Sequence, residues 1–205
     1  LKHPLSNIRM ADSLLRYYTI DEPAGEELMD SVLASLDTMQ ETIEDFSDAY
    51  HLKGGVEMDL RATSACQVIN DLGLEYMAHA ARKDIQIEIG PCNDLIIADQ
   101  RRLRRAIGNL LNNAVKYSPP GTTVKIASKR IDSELRITVT DEGPGVPAAE
   151  RHLLYTEFGK LSTQPTGHEA STGLGLWIVK MLVEAMGGEV GYTDAPGKGG
   201  CFWLQ

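Results

Sequence analysis
The chain has 205 residues, 42% hydrophobic and 24% charged, enough for one good core and an appended element. Its formal net charge of −9 argues against nucleic acid or anionic lipid as the main partner. No apolar run approaches the roughly 20 residues of a membrane span, and none of these residues is expected to act as a signal peptide.

The chain starts at Leu1 inside a helical pattern. It is therefore expected to be part of a longer protein, with any membrane contact made through regions absent here. A first helix is predicted over 5–18 from Leu5, Ile8, Ala11, Leu15 and Tyr18, with Pro4 suited to its first turn. A loop at Asp21-Glu22-Pro23-Ala24-Gly25 follows. In the second helix Leu28, Val32, Leu36, Met39, Ile43, Phe46 and Tyr50 are spaced 4-4-3-4-3-4, close to a heptad seam. Two helices alone cannot bury both faces of such a seam. An antiparallel hairpin that dimerises into a four-helix bundle is expected, with packing against the rest of the chain as the alternative.

Lys53-Gly54-Gly55 reads as a hinge, dividing the chain into 1–53 and 54–205. Beyond it the pattern predicts a short strand at 56–60, a helix at about 61–82, and strands at Ile85–Ile89 and Leu95–Ala98. A long helix at about 99–117 opens with Arg101, Arg102, Arg104 and Arg105, a run that reads as a solvated face. Strands Thr123–Ala127 and Leu135–Thr140 alternate as a hairpin. An irregular stretch over about 143–171 precedes a helix at about 174–186, which stops at Gly187-Gly188. A final hairpin pairs Glu189–Thr193 with Cys201–Leu204. Strands and helices in runs, without strict alternation, predict an α+β class, an α/β sandwich with helices on one sheet face. Cys66, Cys92 and Cys201 have no metal-ligand spacing and read as free thiols of a reducing, cytoplasmic compartment.

Within 99–117, Asn109, Asn113 and Lys116 form one polar stripe at helical pitch, while Leu110, Leu111 and Ala114 turn to the core. Carboxamide oxygens suit a hard cation such as Mg²⁺ and an amine suits phosphate, so the stripe reads as a metal-nucleotide site or, more simply, a solvated face. Asp141-Glu142-Gly143-Pro144-Gly145 closes a buried strand. A carboxylate there can accept from an adenine edge while the glycines allow a sharp turn; a plain strand-ending turn is the alternative. Thr172-Gly173-Leu174-Gly175-Leu176 opens a helix whose free N–H groups can cradle phosphate. The 25 or so residues between these two motifs suit a lid over a ligand. Gly197-Lys198-Gly199-Gly200 adds a third glycine-rich turn.

In that order and within one α+β domain, these motifs resemble the ATP-binding domain of sensor histidine kinases, in the superfamily shared with DNA gyrase, the Hsp90 chaperones and the MutL repair proteins. The likeness covers roughly 56–205. It implies that Asn109 and Asn113 belong to the N box as Mg²⁺ ligands, with Lys116 and Tyr117 near the phosphates and base. Asp141 would take the adenine amino group, with Gly143 and Gly145 shaping the pocket. Phe158 and Lys160 match the F box of the lid, Lys160 reaching the terminal phosphate. Thr172, Gly173, Leu174, Gly175 and Leu176 form the second glycine box, and Gly197 and Gly199 the third, where Gly200 replaces a usual Thr or Ser. Leu1-Lys2-His3-Pro4-Leu5 resembles the tail of the phosphoacceptor box. The nucleophilic His would lie two positions before Leu1, and His3 would occupy the variable position. His3 stands where the family usually has Thr or Asn, which puts phosphatase activity in question.

The resemblance implies a protein-histidine kinase using ATP and Mg²⁺, homodimeric through its N-terminal helices, that passes phosphate to an Asp of a response regulator receiver domain. Hydrolytic relatives place a Glu four residues before the Mg²⁺-binding Asn. Here that position is Asn109, an amide that cannot act as a base, which favours phosphoryl transfer over hydrolysis. A degenerate nucleotide-binding scaffold and an ATP-driven conformational clamp are the alternatives.

Overall fold
A computed structural model describes residues 58–92, 95–166 and 172–205, together with the helical positions Met39, Ile43 and Ser47. The remainder of the two expected N-terminal helices, the hinge at 53–55 and the box around His3 lie outside the described residues. The chain divides into two compact units, Leu1–Ser47 and Asp48–Gln205.

Three helices of the second unit form one layer. Helix α1 (Ala65–Ala81) starts where the Ser64 hydroxyl accepts from Gln67 N at 3.2 Å. Helix α2 (Gln100–Tyr117) starts where the Asp99 carboxylate accepts from Arg101 N and Arg102 N, and Arg102 Nε closes back on it at 3.3 Å. Its apolar stripe, Leu103, Ala106, Ile107, Leu110, Leu111, Ala114 and Val115, is fully buried, as the periodicity predicts. Helix α3 (Gly175–Ala185) buries Ile178, Val179, Leu182 and Val183.

The second layer is a five-stranded sheet. Strands β2 (Gln86–Ile89), β4 (Thr123–Ile131), β5 (Glu134–Thr140), β6 (Val190–Asp194) and β7 (Gly200–Leu204) take the order β2-β4-β5-β7-β6. Only the β2–β4 pair is parallel, so α2 lies within the crossover between them. Alternating residues Val124 and Ile126, Ile137 and Val139, Phe202 and Leu204 meet the helices in one core. The sandwich with helices on one face is the architecture that the element order implies. Among the described residues no helix is long and apolar enough to cross a membrane.

Three expectations are corrected. Strand β1 lies at Arg61–Ser64 rather than 56–60, and pairs with β3 (Leu95–Ala98) in a separate small sheet. Thr63 Oγ1 donates to Ala98 O at 3.0 Å, which holds this stretch extended, so α1 begins at the Ser64 cap and not at 61. The irregular 143–171 region holds a 3₁₀ helix at Ala148–Leu153, entered through Pro147. Cys66 and Cys92 are joined by a disulfide, their Cα atoms 5.0 Å apart, because the loop after β2 returns to the first turn of α1. Only Cys201 remains a free thiol.

Candidate functional site
The polar stripe of α2 faces the start of α3. Asn109 Nδ2 donates to the Gly175 carbonyl at 3.3 Å, which orients the amide and leaves Oδ1 as the atom available to a cation. Asn113 belongs to the same place, since a Cβ built on Gly175 would lie 4.0 Å from Asn113 Nδ2. Helix α3 has no side-chain cap at Leu174, while Leu174 N itself donates to Thr172 Oγ1 at 3.3 Å. Uncapped N–H groups at a helix start form an anion site. Among the described residues no group of three or more His, Cys, Asp or Glu side chains could hold a metal ion. A cation here would depend on the carboxamides and on ligand oxygens, a donor set that fits Mg²⁺ with phosphates.

The glycine-rich stretch that opens α3 also meets the segment around Phe158. Gly173 has φ +74°, and a Cβ on it would come 3.0 Å from Phe158 C and Gly159 O, so the two backbones pack directly. Phe158 itself stands at positive φ with its ring exposed. Lys160, two residues on, is also exposed.

Near the C-terminal end of α2 sits Asp141, buried just past the end of β5. Its Oδ1 accepts from Gly143 N at 2.9 Å and from Gly200 N at 3.2 Å, and Asp141 N donates to Gly200 O at 2.8 Å. Burial raises its carboxyl above the ordinary value, opposed by the bonds from Gly143 and Gly200. The Tyr117 carbonyl closes this turn, 2.9 Å from where a Gly143 Cβ would stand. Behind it, Tyr192 accepts from Val146 N at 3.0 Å, and Arg151 lies over the Tyr192 ring while donating to Val146 O at 3.2 Å and to Asp194 at 2.5 Å. These contacts brace the turn from below.

Three clusters are therefore formed: Asn109 and Asn113 with Gly175, Gly173 with Phe158 and Gly159, and Tyr117 with Gly143 and Asp141, the first and third of them on α2. Lys116 carries its own contacts on the same helix end. The sequence reading missed Gly200 as a partner of Asp141, because the two meet only through the β5–β7 register that sets Thr140 against Cys201. It also missed the Tyr192 brace, and nothing in the local pattern around 192 signals it.

Residues 98–205 match the family of histidine kinase-, DNA gyrase B- and HSP90-like ATPases. The chain is 29% identical over 210 residues to sensor protein KdpD of Mycobacterium tuberculosis, across 97% of this chain and 24% of that one. It is 33% identical over 201 residues to the signal transduction histidine-protein kinase/phosphatase MprB of Mycolicibacterium vanbaalenii, across 95% of this chain and 40% of that one. Its fold superposes on full-length ShkA, solved in complex with AMPPNP, with a TM-score of 0.73, 27% identity, and coverage of 98% and 42%. The chain thus spans less than half the length of these relatives.

Proposed function
Because the chain belongs to the family of histidine kinase-, DNA gyrase B- and HSP90-like ATPases, we propose that it is the catalytic core of a sensor histidine kinase. It binds ATP between α2, the Asp141 turn and the start of α3. Asp141 accepts from the adenine amino group, with Gly143 and Gly145 allowing the base to approach the backbone. Tyr117 lines the base side and Lys116 the phosphate side. The α3 amides around Thr172, Gly173, Leu174, Gly175 and Leu176 receive the phosphates.

Asn113 and Asn109 Oδ1 are the groups that would hold Mg²⁺, which when bound neutralises phosphate charge. Lys160 adds a positive charge at the terminal phosphate, and Phe158 seats the segment that carries it. An imidazole nitrogen of the phosphoacceptor His, upstream of Leu1, attacks the γ-phosphorus in line. The bond to the β–γ bridging oxygen breaks and ADP leaves. The phosphoryl group then passes to an Asp carboxylate of a response regulator receiver domain. The N-terminal helices provide the homodimer that presents the His.

The observation that supports this reading is that the α2 stripe meets the start of α3 through the Asn109 Nδ2 bond to the Gly175 carbonyl, while Tyr117 at the end of α2 abuts the Asp141 turn. An amide at that position has no basic atom to activate water, which favours transfer to a protein nucleophile. The test uses the protein extended upstream through its phosphoacceptor box, with γ-labelled ATP and Mg²⁺. Acid-labile, alkali-stable label is expected. Unlabelled protein that still binds ATP would refute the kinase and leave a nucleotide-binding scaffold.

A further inference from the structure
The last turn of a helix leaves its carbonyls without intrahelical partners. In α2 those partners come from distant parts of the chain. Lys83 Nζ donates to Val115 O and Lys116 O at 3.0 and 3.2 Å. Thr166 supplies the others: its N–H donates to Lys116 O at 3.1 Å, and its hydroxyl lies 3.0 Å from Lys116 O and 2.9 Å from Ser118 O. One hydroxyl proton is thus shared between two acceptors.

These two carbonyls flank Tyr117. The Tyr117 carbonyl in turn abuts Gly143, beside the Asp141 carboxylate, each 2.9 Å from a Cβ built there. Thr166 therefore fixes the backbone on which the Asp141 turn rests. The same segment begins at Gly159 and Lys160, where it lies against Gly173. It is clipped midway, where Ser162 N and Oγ donate to the Glu150 carboxylate at 2.9 and 2.7 Å. Residues 159–166 thus run as a strap from the start of α3 to the end of α2.

We propose that Thr166 is a positioning residue for the nucleotide, locking the Tyr117 peptide against Gly143 and tying the strap that bears Lys160 to that wall. The inference rests on the nucleotide-site reading above. Thr166 acts through Tyr117 and Gly143. Being exposed, it adds little to the core.

The test is a titration of the chain with ATP in three forms, unsubstituted, Thr166→Val and Thr166→Ser, with melting temperatures measured alongside. Thr166→Val keeps the β-branched shape and the N–H but removes the hydroxyl. It should weaken binding about 3- to 10-fold, the worth of one hydrogen bond. Thr166→Ser should restore affinity to within about twofold, with melting temperatures close to the unsubstituted chain in all forms. Unchanged affinity in Thr166→Val would overturn the proposal. So would failure of Thr166→Ser to rescue, or a fall in melting temperature that tracks the affinity, either of which marks a merely structural role. An unsubstituted chain that binds no ATP would overturn the nucleotide site itself, and the inference with it.

Discussion

Two glycines in the final hairpin turn offer a matched pair of substitutions. Gly197 and Gly199 both stand at positive φ, +97° and +104°. Alanine at either costs about 1–3 kcal/mol in backbone strain. Their surroundings differ. A Cβ on Gly197 meets nothing within 4 Å, whereas one on Gly199 would lie 1.9 Å from Asp141 O, 2.7 Å from Asp141 C and 2.8 Å from Glu142 Cα. All three are backbone atoms that cannot rotate away. Gly199→Ala must therefore push the hairpin back by more than an ångström. The two bonds between Asp141 and Gly200 are then lost, a backbone bond worth about 1 kcal/mol and a bond to a carboxylate worth about 1.5–3 kcal/mol. Gly199→Ala should thus be less stable than Gly197→Ala by about 2–4 kcal/mol in urea unfolding, a large share of a typical domain's 5–15 kcal/mol. It should also weaken ATP binding by roughly 10- to 100-fold, because the displaced carboxylate no longer meets the base. Gly197→Ala should leave affinity unchanged. Equal stability and equal affinity in the two variants would refute the reasoning.

Asn113→Ala should abolish Mg²⁺-dependent ATP binding in a calorimetric titration; unchanged affinity would remove Asn113 from the site. The Asp141 carboxyl, raised above its ordinary 3.8 by burial, holds its proton to higher pH in the folded chain than in the unfolded one. As pH falls from the folded value toward 3.8, the protein should gain stability relative to Asp141→Asn while ATP affinity declines; parallel pH profiles for the two proteins would contradict this. Reduction of the Cys66–Cys92 disulfide, which spans 26 residues, should lower unfolding free energy by about 2–4 kcal/mol. Cys66→Ser with Cys92→Ser should be insensitive to reductant, and an equal response in that variant would exclude the disulfide as the cause.

Periodicity made α2 legible, because its apolar residues repeat with the helical pitch and bury with it. Motif order indicated which segments meet. Pairings set by register or loop return were not legible. Gly200 reaches Asp141 across 59 positions only because β7 inserts beside β5. Cys66 and Cys92 meet because a loop turns back on α1, and spacing alone carries no such distance. The start of α1 was misplaced by its flanking pattern, since the residues before Ser64 serve a strand whose partner, β3, lies some thirty residues later. Thr166 looks like any loop threonine until the carbonyls it caps are seen.

Strand β7 lies inside the sheet, between β5 and β6, yet it follows both of them in the chain. Until the ribosome has released it, β5 and β6 each present an open edge, and Asp141 lacks the Gly200 N–H that orients it. A chain halted before Gly200 carries every other motif and still lacks the bond that orients the Asp141 carboxylate. The Asp141 turn is thus completed only when β7 has docked between β5 and β6, and its geometry reports closure of the sheet.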